Sequence, residues 1–149
     1  MANFVPVDVF DLVIFGGTGD LAMRKLLPAL FHRERYGQIT GDSRIIAASR
    51  GALGRDDYLG LVEQALQDNL GSGDFDYAEW AKLRERIHYV QSDAYDLDNW
   101  GALVDLLAGG EERIRVAYLA TAPSLFGTIA QGLKKNGLIT ATSRIVLEK

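Results

Sequence analysis

An open α/β fold, a parallel sheet covered by helices on both faces, is what three features of the sequence predict. Short runs of β-branched and other apolar residues alternate with longer stretches of helical period along the whole chain. The strand-like runs are apolar at nearly every position, as strands buried on both faces require. A glycine-rich turn separates the first such run from the first amphipathic stretch. Right-handed crossovers wind such a chain into a Rossmann-like, doubly wound sheet of three layers, α/β/α. The 149 residues suffice for one domain with a well-buried core, so 1–149 reads as a single unit.

The first strand is Val9 to Phe15. After the turn, Met23, Leu26, Leu27, Leu30 and Phe31 recur at the spacing of one buried helix face, with Pro28 predicted to kink the helix and Gly37 to end it. A second strand covers Arg44 to Ser49, and a helix with Leu59, Val62, Leu66 and Leu70 on one side follows. Gly71-Ser72-Gly73 makes a loop, and a short helix spans Tyr77 to Arg86. The third strand is Ile87 to Val90, with Asp96 or Asp98 expected to cap the helix carrying Trp100, Leu103, Val104 and Leu107. Ile114 to Ala120 is the fourth strand. Ser124 is the expected cap of the next helix, whose Phe126, Ile129, Ala130 and Leu133 face inward and whose end is Gly137. Arg144 to Leu147 is a fifth strand, leading into Glu148 and Lys149.

Composition narrows the function. The net charge of −4 argues against a nucleic-acid surface. There is no cysteine, which removes disulfides and thiolate metal sites, and His32 and His88 lack metal-ligand spacing, so no metal is expected. No apolar run approaches the ~20 residues needed to span a bilayer, and the N-terminal residues carry no basic segment, so a cytoplasmic location is expected.

Gly16-Gly17-Thr18-Gly19-Asp20-Leu21 joins the first strand to the first helix. Glycine is needed there because the backbone turns sharply and because its N–H groups must come close to an anion. The helix that follows aims its free N–H groups and positive dipole end at the same point. A tight βα turn with no ligand is the competing reading. Three glycines in four residues favour a pyrophosphate site, and the turn is too short for a Walker loop.

Sheets that prefer NAD end the second strand with an acidic residue for the ribose 2′-hydroxyl. This strand ends Ala48-Ser49-Arg50, with no carboxylate before Asp56. Arg50 can hold a 2′-phosphate, and Ser49 can add a hydroxyl donor, which favours NADP, with NAD as a weaker alternative. The competing reading is an arginine solvated at a strand end.

Phe15-Gly16-Gly17-Thr18-Gly19-Asp20-Leu21-Ala22 with Arg24-Lys25-Leu26-Leu27-Pro28 closely resembles the N-terminal signature of the glucose-6-phosphate dehydrogenase family. The likeness continues through Ser49-Arg50 and Tyr118-Leu119-Ala120-Thr121-Ala122-Pro123 to Arg144-Ile145-Val146-Leu147-Glu148-Lys149. The resemblance implies an oxidoreductase of carbohydrate metabolism. That activity is NADP-linked oxidation of glucose 6-phosphate to 6-phosphogluconolactone, at the entry of the pentose phosphate pathway, in a homo-oligomeric enzyme. By position it implies that Gly16 to Leu21 hold the pyrophosphate and that Arg50 holds the 2′-phosphate. Asp93, Ala94, Ala120 and Thr121 would flank the adenosine and nicotinamide ends, and Lys25 and Lys149 would face the substrate and nicotinamide side. Lys25 lies off the apolar helix face, within two turns of the anion site; a solvated helix lysine is the competing reading.

The family's catalytic histidine, in Arg-Ile-Asp-His-Tyr-Leu-Gly-Lys, and its substrate domain have no counterpart in these residues. No catalytic residue is therefore assigned. The expectation is a chain that binds nucleotide, turns nothing over, and exposes apolar surface. A non-catalytic NADP-sensing module is the alternative, although Ala22 stands where such modules resemble a third motif glycine. A short-chain reductase would need a Tyr-x-x-x-Lys pair after the fourth strand, and there is none.

Overall fold

A computed structural model describes residues 8–147 of the chain. Five strands, β1 (Phe10–Phe15), β2 (Arg44–Ser49), β3 (Ile87–Gln91), β4 (Ile114–Leu119) and β5 (Ser143–Leu147), form one sheet. All neighbours pair in parallel, in the order β3-β2-β1-β4-β5. The chain thus winds outward in one direction from β1 to β3 and in the other from β4 to β5. The crevice of such a sheet lies beyond the carboxyl ends of β1 and β4.

Alternate residues of β1 face opposite sides and so meet different helices. Leu12 and Ile14, with Ile45 and Ala47 of β2, pack under α1 (Leu27–Arg35), α2 (Arg55–Asn69) and α3 (Tyr77–Arg86) through Phe31, Tyr58, Leu66 and Leu83. Val13 and Phe15, with Ile46 and Ala48, meet the opposite layer, α4 (Gly101–Leu107) and α5 (Phe126–Lys135), through Trp100, Leu103, Ile129 and Leu133. The predicted three-layer α/β/α sheet is what forms.

Local differences from the sequence reading have identifiable causes. The first helix does not simply kink at Pro28. It opens with a π-helical turn, Ala22–Leu26, in which the Leu27 N–H reaches back to the Ala22 carbonyl. The widening comes just ahead of Pro28, whose ring would press on the carbonyl four residues back in an uninterrupted α-helix. It also shifts the inward stripe to Ala22, Leu27, Leu30 and Phe31, leaving Met23 and Leu26 half-buried. Gly37 (φ +69°) ends α1 as expected, with Gln38 N–H on the Arg33 carbonyl and Gly37 N–H on that of Glu34.

Neither Asp96 nor Asp98 caps α4: a 3₁₀ turn, Leu97–Asn99, intervenes, Asp96 accepts from the Asn99 amide, and Asp98 pairs with Lys135 at 2.6 Å. Ser124 lies inside another 3₁₀ turn, Pro123–Leu125, so Leu125 takes the cap position of α5. Leu70, Phe126 and Ala130 are only partly buried, while Tyr58 and Gly132 are buried. On β5, Ile145 is 45% exposed and Leu147 51%, in keeping with the expected apolar surface.

At the amino ends of the strands a buried carboxylate fastens the sheet. Asp11, fully buried on β1, receives Nε and Nη2 of Arg44 at 2.9 and 2.8 Å and lies 3.1 Å from Nε of Arg113. Arg44 also donates to the Leu106 carbonyl and Arg113 to that of Asp42, which ties β1, β2, α4 and the approach to β4 together. Arg113 also holds the exposed Asp42 carboxyl below the usual carboxylate range. Buried Arg115 has no carboxylate partner; it donates to the Leu107 and Leu138 carbonyls, at and beyond the ends of α4 and α5, where a cation suits the helix dipole. Asp11→Ala strands two guanidinium groups that are largely shielded from water. Urea denaturation of this variant should show a loss of about 3 kcal/mol with an unchanged slope.

Candidate functional site

The turn after β1 is shaped by how closely it passes its neighbours. Gly16 (φ +82°) adopts a backbone that L side chains rarely allow, and a Cβ there would sit 2.6 Å from the Ala120 carbonyl oxygen at the end of β4. A Cβ on Gly17 would lie 2.7 Å from the Ala47 Cβ of β2. Gly16 and Gly17 N–H both donate to the Ala48 carbonyl, Gly19 N–H closes the turn on the Gly16 carbonyl, and Met23 N–H bonds that of Gly19. Between these anchored groups the N–H donors of Asp20, Leu21 and Ala22 occupy the first turn of the helix, where no earlier turn supplies acceptors.

A cleft opens beyond the carboxyl ends of the strands, as the topology predicts. It is lined by Gly16, Thr18 and Gly19 of the turn, by Ser49 and Arg50 after β2, by Asp93 and Ala94 after β3, and by Ala120 and Thr121 after β4. Nine of the residues singled out in the sequence therefore meet in one place. Gly17, Asp20 and Leu21 belong to the same turn without lining the cleft. Gly17 is turned against β2, Leu21 packs on the core, and exposed Asp20 pairs with Arg24 at 3.0 Å, which offsets a carboxylate placed near an anion site. Lys25 is exposed on the π-helical turn, outside the cleft lining. Lys149 lies outside the described residues.

Ser49 differs from expectation. Its hydroxyl lies 2.6 Å from that of Tyr89, and the Tyr89 proton is committed to the Gly51 carbonyl. Ser49 must therefore donate to Tyr89, which leaves it lone pairs and no free donor for a phosphate. Arg50, by contrast, is exposed at the rim, and its guanidinium makes no hydrogen bond or ion pair among the described residues. Its own carbonyl is held by the Gln91 amide at 2.9 Å.

Two polar cleft residues escaped the sequence reading. Ser92 is buried, lines the cleft, and its Oγ has no hydrogen-bond partner. Tyr95 is 71% exposed on the same wall, with its N–H on the Asp93 carboxylate. Both follow β3, beside Asp93 and Ala94, where the carboxyl ends of a doubly wound sheet place ligand-facing residues. His32 and His88 do not line the cleft. His32 meets the Phe31 ring edge-on and is half-buried. His88 is half-buried on β3, where desolvation and then Arg44 push its pKa down. Among the described residues no group of three or more His, Asp or Glu is placed to hold a metal ion, and no helix is long and apolar enough to cross a membrane.

The arrangement can hold a dinucleotide: a glycine turn with free N–H donors for the pyrophosphate, an unengaged guanidinium on one side, and an unpartnered buried hydroxyl on the wall. The ionisable groups on the lining are Arg50, Asp93 and Tyr95, with no nucleophile–base pair among them. The fit of the turn is testable through its packing. Gly17→Ala should cost about 2 kcal/mol by overpacking, and adding Ala47→Gly should restore most of it in thermal melts. Gly16→Ala should have no such rescue, because its backbone conformation is unsuited to a side chain.

Comparison with known proteins agrees with the fold. The family described as glucose-6-phosphate dehydrogenase, NAD binding domain, matches residues 13–149. The glucose-6-phosphate 1-dehydrogenase of Rhizobium meliloti (strain 1021) is 47% identical over 99% of this chain and 30% of its own length. That of Mycolicibacterium smegmatis is 43% identical over 97% of this chain and 30% of its own. The crystal structure of glucose-6-phosphate 1-dehydrogenase from Mycobacterium avium superposes with a TM-score of 0.85 at 30% identity, covering 95% of this chain and 30% of that one. A glucose-6-phosphate dehydrogenase solved with its substrate glucose 6-phosphate gives 0.79 at 25% identity, covering 99% of this chain and 31% of that one. The chain thus spans about a third of the length of these curated relatives, and it belongs to the NAD-binding-domain family of glucose-6-phosphate dehydrogenase.

Proposed function

We propose that residues 1–149 are the dinucleotide-binding domain of an NADP-preferring glucose-6-phosphate dehydrogenase. The observation that carries the preference is Arg50: a free guanidinium at the cleft rim, on the strand end where an NAD-preferring sheet places a carboxylate. In this reading the first-turn N–H groups of Asp20, Leu21 and Ala22, approached over Gly16 and Gly19, face the pyrophosphate. Arg50 forks onto the 2′-phosphate. Asp93, Ala94 and the Ser92 hydroxyl take the adenosine side, and Ala120 and Thr121 the nicotinamide side. Bound there, the nicotinamide supplies the acceptor for a hydride.

The substrate of the whole enzyme is then glucose 6-phosphate, oxidised at its anomeric carbon to the lactone at the entry of the pentose phosphate pathway, in a cytoplasmic homo-oligomer. Lys25 and Lys149 are assigned to the substrate side. Lys25 fits that role by its exposure and its place beside the phosphate turn. The general base and most sugar contacts fall to the part of the relatives' length that this chain does not span.

Calorimetric titration with NADP and NAD tests the reading. NADP should bind more tightly, and Arg50→Ala should remove about 2 kcal/mol of NADP affinity, a factor of roughly thirty, while leaving NAD nearly unchanged. Equal affinities in the unaltered chain would refute the preference. In a separate assay the 149-residue chain, given glucose 6-phosphate and NADP, should form no NADPH; turnover would refute the assignment of the base elsewhere.

A further inference from the structure

The loop carrying Arg50 is short and irregular, running from Arg50 to Gly54 between β2 and α2. Its internal bonding is slight: Leu53 N–H donates to the Gly51 carbonyl. Yet the backbone that immediately follows the Arg50 side chain is held from outside the loop. Gln91 Nε2 donates to the Arg50 carbonyl at 2.9 Å, and the Tyr89 hydroxyl donates to the Gly51 carbonyl. Tyr89 and Gln91 are two residues apart on β3, so they project from the same face of an edge strand. The Tyr89 hydroxyl in turn accepts from Ser49, the residue preceding Arg50.

Tyr89 is itself braced. Its ring lies 5.0 Å from that of Tyr58, tilted by 32°. Tyr58 is fully buried and donates its hydroxyl to the Gly17 carbonyl at 2.8 Å. Two tyrosines thus connect the phosphate turn to the arginine loop, one hydrogen-bonded to each. A guanidinium on an unsupported loop would lose backbone freedom on binding, and a pre-fixed one avoids that cost.

We propose that Tyr89 and Gln91 are positioning residues for dinucleotide choice, fastening the backbone around Arg50 so that its guanidinium is held ready for a 2′-phosphate. The proposal rests on the reading of Arg50 given above. Neither residue touches the dinucleotide; both act through the loop. Their loss should therefore weaken NADP and spare NAD, which lacks the group that Arg50 receives.

The test is titration of NADP and NAD into the unaltered chain and into Arg50→Ala, Tyr89→Phe, Gln91→Ala and the double variant Arg50→Ala/Tyr89→Phe. Tyr89→Phe keeps the ring and removes its hydroxyl bonds. NADP binding should fall about fivefold to tenfold while NAD stays within about twofold. The double variant should bind NADP no more weakly than Arg50→Ala alone, since the clamp acts only through the arginine. Equal weakening of both nucleotides, undiminished NADP binding, or a further loss in the double variant would each overturn the proposal. Should Tyr89→Phe fail to fold, Gln91→Ala, an exposed amide truncation, must show the same selective loss or the proposal falls. If Arg50→Ala itself leaves the NADP-to-NAD ratio unchanged, or the unaltered chain binds neither nucleotide, the Arg50 reading fails first and takes the clamp with it.

Discussion

The cleft depends on how closely a turn can be laid across the end of a sheet. Gly16 passes within van der Waals contact of the Ala120 carbonyl, and Gly17 lies against Ala47, so β1, β2 and β4 are capped by backbone rather than side chains. Alanine at position 47 matters as much as glycine in the turn, because a larger group on β2 would lift the turn away. Once the turn is down, Gly16 and Gly17 can share the Ala48 carbonyl and Gly19 can close on Gly16. The helix then starts at a fixed point with its donors facing outward. The buried Tyr58 hydroxyl secures the same turn from below, and burial pushes its pKa far up, so it remains a donor throughout the working pH range.

The two ends of the sheet divide the work. At the amino ends, each buried cation is engaged, although Nε of Arg113 and of Arg115 finds no hydrogen-bond acceptor: Asp11 with Arg44 and Arg113, Arg86 with Glu34 and three carbonyls, and Arg115 with Leu107 and Leu138. At the carboxyl ends, polar groups are left over: the guanidinium of Arg50, the Ser92 hydroxyl and the first-turn amides. A basic side chain engaged by carboxylates and carbonyls has little left to offer an anion, whereas an unengaged one does. That contrast, more than the number of arginines, favours the carboxyl ends as the side for an anionic ligand.

Much of this was legible in the sequence, because apolar periodicity and the glycine turn are strong local signals. The five strands follow from apolar periodicity, Gly16, Thr18, Gly19, Ser49 and Arg50 from the glycine turn and the end of the second strand, and Asp93, Ala94, Ala120 and Thr121 from the family resemblance. The failures share a different cause. Ser49 as a free donor was plausible from its position, but its proton is claimed by Tyr89, forty residues away in sequence. Asp96, Asp98 and Ser124 all have capping chemistry, but Asp96 precedes a 3₁₀ turn and Asp98 and Ser124 lie within one, so the helix starts past each of them. Ser92 and Tyr95 went unnamed because nothing local distinguishes a serine that finds no partner from one that does.

The π-helical turn between Ala22 and Leu26 has a consequence for how the first helix tolerates change. It acts as one supernumerary residue in the reading frame of the helix, so the residues before it and after it obey separate phases. An apolar stripe written continuously at α-helical spacing from Ala22 would turn Leu26 and Ala29 inward, yet Ala29 is exposed and Leu27 takes the core position. Deleting the supernumerary residue would close the segment into regular α-helix, whereas deleting a residue from α1 would rotate everything upstream by about 100° relative to the rest of the helix. The phosphate turn and the buried stripe would then no longer be satisfied together. Substitutions at exposed Arg24 and Lys25 leave the phase of the helix unchanged, whereas the length of α1 is constrained by geometry, and the two can vary independently.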